Sequence, residues 1–201
     1  LNMIEEYTAE VLKDGKTPVM IGGEHLVTLG AVRAAVKKYP DLNIVHFDAH
    51  ADLRDDYLGE RLSHACVLRR CHELLGDGRI YQFGIRSGER SEFKFAEKHT
   101  HMRKFDLEGL SEACAELEGK PVYFTIDLDV LDSSVFPGTG TPEAGGISFN
   151  ELIRGIITVG ERLNVTAADI NELSPPYDPS GVSTAAACKA LRELLLAIYR
   201  F

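Results

Sequence analysis

Apolar positions along this chain fall into two alternating rhythms. Residues 1–15 place Ile4, Tyr7 and Val11 at helical spacing and stop near Gly15. Residues 17–25 hold a short apolar run that breaks at Gly22-Gly23, and residues 26–40 repeat Leu26, Leu29, Val32 and Val36 as a helix ending at Pro40. The run 42–50, LNIVHFDAH, is rich in β-branched and aromatic residues and reads as a strand. The alternation continues. Helical patterns at 64–76, 91–99, 110–119, 149–163 and 183–200 are interleaved with extended ones at 79–86, 101–106, 121–130 and 165–173. The last helix sets Ala187, Leu191, Leu194 and Ile198 on one face, and the longest irregular stretch, 132–146, has the Pro and Gly content of an ordered turn system.

Strands alternating with helices of this length predict an α/β fold with a largely parallel sheet covered on both faces. The 201 residues suit one domain with a substantial core. A net charge of -9 argues against a nucleic-acid surface and is compatible with a small cationic substrate. Four cysteines without a C-x-x-C pair suggest reduced thiols in a cytoplasm rather than a disulfide framework. No apolar run is long enough to span a membrane. No signal peptide is visible.

The polar residues that interrupt this pattern cluster where each strand ends, which is where open α/β sheets bind ligands. Glu24 and His25 follow the first strand; Asp48, His50 and Asp52 follow the second; Asp127 and Asp129 follow VYFTI; Glu172 follows VTAADI. Carboxylates this close would repel one another unless a cation joined them. His25, Asp48, His50, Asp52, Asp127 and Asp129 are enough donors for two divalent ions with shared carboxylates. Their oxygen-rich, thiolate-free character favours Mn²⁺ over a structural zinc. Each piece alone has a plainer reading: D-x-D as a strand-end cap, G-G-E-H as a strand-to-helix turn, Ser63-His64 as a helix start, Glu172 as a strand-end ion pair. His46 reads as a buried supporting histidine, and His72, His99 and His101 as ordinary surface or packing residues.

The segments GGEH, HFDAHADLRDDYLGERLSHA, FTIDLDVLD…PGTGTPEAGG and DINELSPPYD resemble the ureohydrolase (arginase and agmatinase) family, most nearly its bacterial and archaeal agmatinase branch. The resemblance implies a three-layer α/β/α fold carrying two Mn²⁺ ions. His25, Asp48, Asp52 and Asp127 would hold one ion and His50, Asp48, Asp127 and Asp129 the other, with Asp48 and Asp127 bridging. It also implies that His64 shuttles protons, that Glu172 holds the substrate guanidinium, and that copies assemble as trimers or hexamers. The family's N-terminal portion, with its first strand, has no counterpart here, so a chain trimmed at its start is expected. Ala51 stands where relatives often have Thr, with little effect expected. Ser133 and Ser134 stand where they often have Pro, with a looser loop expected.

The expected reaction is hydrolysis of agmatine to putrescine and urea. Asp55, Asp56 and Glu60 would favour a cationic tail, whereas Arg54 and Arg61 would suit the carboxylate of guanidinobutyrate. Arginine turnover and an inactive metal-binding chain are the remaining alternatives.

Overall fold

The computed structural model describes residues 1–199. Six strands, β1 (Val19–Ile21), β2 (Asn43–Phe47), β3 (Ile80–Ile85), β4 (His101–Lys104), β5 (Pro121–Asp127) and β6 (Asn164–Asn171), form one parallel sheet in the order β1-β6-β5-β2-β3-β4. Helices α1 (Asn2–Lys13), α2 (Val27–Lys38), α3 (Val67–Leu75) and α4 (Arg90–His99) cover one face. Helices α5 (Leu110–Glu116), α6 (Phe149–Arg162) and α7 (Val182–Tyr199) cover the other. The result is the three-layer α/β/α arrangement expected. Strand order reverses between β2 and β5, so the crevice beyond their carboxyl ends is the natural ligand position.

The two faces of the sheet differ in chemistry. Val45, Phe47, Val122, Phe124 and Ile126 point into an apolar core with α5, α6 and α7. The opposite face, under α1–α4, carries a buried polar row across four strands. Asp169, Thr125, His46 and Gln82 stand in direct register on β6, β5, β2 and β3. That row lies two residues before the strand-end carboxylates Asp127 and Asp48, on the same side of the pleat.

Helix α1 departs from the expected pattern. Ile4 is partly buried, but Tyr7 and Val11 are exposed, and Thr8 and Leu12 are buried instead. Ile4-Thr8-Leu12 and Ile4-Tyr7-Val11 both have helical spacing, and contact with α2 selects the first. Gly30 of α2 admits the close approach, since a Cβ there would sit 2.9 Å from that of Ile4. On α2 and α7 the expected faces hold: Leu29, Val32, Ala187 and Leu194 are buried, with Leu26, Val36, Leu191 and Ile198 packed beside them. The loop 132–146 is tied down rather than loosened by its serines. Asp132 accepts from Ser134 Oγ and from the backbone N–H groups of Ser134 at 3.0 Å, Gly145 at 2.6 Å and Gly146 at 3.1 Å. Arg86 closes the base of the same loop, donating to the carbonyls of Asp129, Leu131 and Glu143 at 2.7–3.1 Å.

Candidate metal centre

Each strand end delivers its side chain by a different local device. β1 ends at Ile21 and is followed by Gly22, where a Cβ would lie 1.9 Å from Asn171 Oδ1. Only glycine lets the chain pass so close to the end of β6. Glu172 N then donates to the Gly23 carbonyl at 2.8 Å, and His25 N donates to Glu172 Oε1 at 2.7 Å. Pairing of β1 with β6 thus brings His25 and Glu172 together although they are 147 residues apart.

The D-x-H-x-D segment does not continue β2 as the sequence suggested. The strand stops at Phe47, and residues 48–52 run on as a loop tethered to residues 86 and 87 by backbone hydrogen bonds. Asp52 has φ of 54°, a left-handed conformation uncommon for a residue other than glycine. The spacing is therefore set by a bent loop and not by strand alternation. Likewise β5 ends at Asp127, whose carboxylate accepts from Asp129 N at 2.8 Å and starts a 3-10 turn over Leu128–Val130. That turn, not a strand, aims Asp129 back toward Asp48.

These devices converge. His25 Nδ1 lies 3.1 Å from Asp48 Oδ2, 3.2 Å from Asp52 Oδ2 and 3.4 Å from Asp127 Oδ2. It is nearly equidistant from three carboxylates and aligned for a hydrogen bond with none of them. His50 Nδ1 lies 2.9 Å from Asp129 Oδ2 and 3.5 Å from Asp48 Oδ1. His25 and the four aspartates are buried, and His50 is partly so. The buried Asp129 Oδ2 also lacks a hydrogen-bond partner. Buried polar atoms are nearly always satisfied. Two such orphans in one cluster, one among three carboxylates and the other beside His50, fit a site that takes a cation.

The electrostatics agree. Burial and the neighbouring Asp48 push the Asp52 carboxyl up to about 7. Burial, then Asp129 and Asp48, push Asp127 well above the carboxylate range, and burial with Asp48 raises Asp129. Burial works against the charge of His50, but Asp129 and Asp48 outweigh it and raise the imidazole to about 12. His25 is raised for the same reason by Asp127, Asp48 and Asp52. A cation placed among these carboxylates would relieve the same mutual repulsion. The donor set, carboxylate oxygens with two imidazoles and no thiolate, fits hard or borderline divalent ions.

The polar row beneath the cluster sets how two of these side chains point. His46 Nε2 donates to Asp48 Oδ2 at 2.8 Å, while its Nδ1 accepts from Gln82 Nε2 at 3.1 Å. His25 Nε2 meets Thr125 Oγ1 at 2.8 Å; Thr125 approaches Thr28, and Thr28 donates to the fully buried Asp169 at 2.8 Å. Tyr123 and Asn171 also donate to Asp169. His46 behaves as the supporting histidine expected. Asp169, Thr125 and Gln82 on β6, β5 and β3, and Thr28 on α2, escaped sequence reading, whose one available signal was a polar residue inside each of three buried strands.

A cavity of about 200 Å³ opens over the cluster, lined by His25, His50, Asp52 and Asp127 together with His64 and Glu172. Glu172 is partly buried, has φ of 67°, and its carboxyl is raised by burial. His64 starts a 3-10 turn ahead of α3, with Nδ1 3.7 Å from Glu24 Oε2 and its ring against Tyr57. Ser63 makes no capping hydrogen bond there. Asp55, Asp56 and Glu60 do not line the cavity. Asp55 is held by Arg70 at 2.7 Å, and Arg61 pairs with Glu73 at 2.8 Å. Arg54 does reach the wall, but Glu89 at 3.0 Å and Glu92 at 3.5 Å balance its charge.

Known proteins share both the chain and its shape. The family model described as Arginase family matches residues 1–197. The agmatinase of Bacillus subtilis strain 168 is 49% identical over 199 residues, covering 98% of this chain and 69% of its own length. A solved structure from Clostridium difficile superposes with a TM-score of 0.96 at 50% identity, over 98% of this chain and 72% of that one. The agmatine ureohydrolase of Thermoplasma volcanium does so at 0.86 and 37% identity, over 98% and 67%. A match along nearly the whole sequence, joined to near-identity of fold, places this chain in the arginase family of ureohydrolases.

Proposed function

We propose that this chain is a single ureohydrolase domain that hydrolyses agmatine to putrescine and urea with two Mn²⁺ ions. The observation that carries this is the cavity in which His64 and Glu172 face the under-satisfied carboxylate–imidazole cluster. His25, Asp48, Asp52 and Asp127 would hold one ion and His50, Asp48, Asp127 and Asp129 the other. When bound, such a pair would lower the pKa of bound water to near neutrality and so supply the nucleophile for hydrolysis.

The chain's own residues do the rest. Glu172 accepts the planar guanidinium by paired charge-assisted hydrogen bonds. One of its oxygens is anchored by His25 N, so the cation is placed at a fixed height over the cluster. Asp52, which lines the cavity, orients the attacking water by accepting its hydrogen bond. Attack makes the guanidinium carbon tetrahedral. Collapse breaks the C–N bond to the tail, and His64, at the mouth of the cavity, hands the departing amine its proton. Thr125 and Asp169 keep His25 in the tautomer whose Nδ1 faces the site.

The neutralised Arg54 weakens the case for a carboxylate-tailed substrate and supports agmatine over guanidinobutyrate. Relatives named agmatinase at about half identity support the same choice. We further propose a cytoplasmic homo-oligomer, in keeping with the free cysteines Cys66, Cys71, Cys114 and Cys188 and the family resemblance. Urea release by Mn²⁺-loaded protein on agmatine, arginine and guanidinobutyrate at equal concentration tests the substrate. Agmatine is expected to lead, and preference for either of the others would replace that reading.

A further inference from the structure

Away from the ends of β2 and β5, a second group of metal-capable side chains meets at the surface. His72 lies in the last turn of α3, Asp77 in the turn leading to β3, and His99 at the end of α4. His72 Nε2 and His99 Nδ1 each lie 2.7 Å from the same oxygen, Asp77 Oδ1. The three donor atoms fall within 4.8 Å of one another. Nothing in the spacing 72–77–99 announces this, because the tertiary fold assembles it.

The group is built rather than incidental. Gly76 and Gly78, with φ of 85° and 69°, let the chain reverse tightly on either side of Asp77. Gly76 N donates to the His72 carbonyl at 2.8 Å and Gly78 N to the His99 carbonyl at 2.9 Å. Both flanks of Asp77 are thereby stitched to the backbones of the two histidines. Phe95 stacks on His99 at 4.2 Å and meets His72 edge-on at 4.9 Å, and the Arg69 guanidinium covers Phe95 at 3.7 Å. The rings are therefore wedged in place and do not sample rotamers freely.

We propose that His72, Asp77 and His99 form a separate surface metal site that takes one Zn²⁺, or a similar borderline ion such as Co²⁺ or Ni²⁺. Two imidazole nitrogens and a single carboxylate suit these ions better than Mn²⁺, Mg²⁺ or Ca²⁺, which seek more oxygens. Ligand bonds of about 2.0–2.1 Å in tetrahedral geometry need donors roughly 3.3 Å apart. The Asp77 side chain is 67% exposed and can withdraw that far without moving the backbone. To bind the ion each ring carries its proton on the nitrogen turned away from Asp77, which frees the lone pairs of His72 Nε2 and His99 Nδ1, and water completes the coordination on the open side. The bound ion clips the ends of α3 and α4 together across the start of β3.

The test is a count of bound ions. Wild type, His99→Gln and Asp77→Asn are saturated with Zn²⁺, desalted and assayed for zinc per chain. Both variants are expected to hold one ion fewer than wild type and to match each other. Equal counts in all three overturn the site. The unaltered protein gives an independent answer: crystals soaked in Zn²⁺ are expected to show an anomalous peak between the three side chains, and its absence there overturns the proposal.

Discussion

The two histidine–carboxylate clusters of this chain use the same residue types and live under opposite conditions. At the ends of β1, β2 and β5, His25, Asp48, Asp52, Asp127 and Asp129 are buried, and two of their polar atoms have no hydrogen-bond partner. At the ends of α3 and α4, His72 and His99 each have a short hydrogen bond to a carboxylate that water reaches freely. The difference teaches that burial, not composition, decides whether a cation is required. Solvent and hydrogen bonds already satisfy the outer cluster, so an ion there adds a clip to a structure that stands without it. The inner cluster concentrates four buried carboxylates with only the imidazoles of His25, His46 and His50 against them.

The sharpest way to break that contrast is Asp127→Ala. It removes a carboxylate shared by both proposed ions and the acceptor that shapes the Asp129 turn. Dialysed protein is expected to retain neither Mn²⁺ ion by metal analysis and to release no measurable urea, while its outer cluster still takes zinc. His64→Ala leaves the buried donors intact, so the Mn²⁺ count should stand while turnover falls by about 10²–10⁴-fold, with added imidazole restoring part of it. Glu172→Gln keeps an oxygen for His25 N but loses the charge. Steady-state kinetics should show kcat/KM down by roughly 10–100-fold, again at unchanged metal content. Thr125→Val keeps the shape and deletes the partner of His25 Nε2. Mn²⁺ affinity measured by titration calorimetry should weaken by roughly 10–100-fold.

The smallest effect concerns the loop that walls the site. Hydrogen bonds from Ser134, Gly145 and Gly146 hold the Asp132 carboxyl down at about 2. Its folded value lies below the ordinary one near 3.9. The stability it contributes is therefore complete above about pH 4 and is lost as pH falls toward 2. Asp132→Asn should lower the denaturant midpoint at pH 6, and the gap from wild type should narrow at pH 3.

Much of this was legible in the sequence, and the rest was not, for physical reasons. The alternation of helices and strands, the parallel sheet and the placing of six polar side chains at strand ends follow from periodicity and motif spacing. How those side chains are aimed does not follow. A left-handed Asp52 and a 3-10 turn at Asp129 leave D-x-H-x-D and D-x-D unchanged as text while replacing the strand geometry that the text suggests. The buried face of α1 differs from the one its spacing predicts because two stripes share helical spacing, and only contact with α2 chooses between them. Asp169, Thr125, His46 and Gln82 became a row through strand register, and His72, Asp77 and His99 became a cluster through packing. Neither property is carried by any short stretch of residues.

The most direct test of the inner cluster's dependence on cations is the anomalous difference density of crystals grown with Mn²⁺. Two peaks about 3.5 Å apart, one beside His25 and one beside His50 with Asp48 and Asp127 between them, are the expected result. A single peak, or none with the carboxylates still packed as they are here, would contradict a binuclear centre and the hydrolysis built upon it.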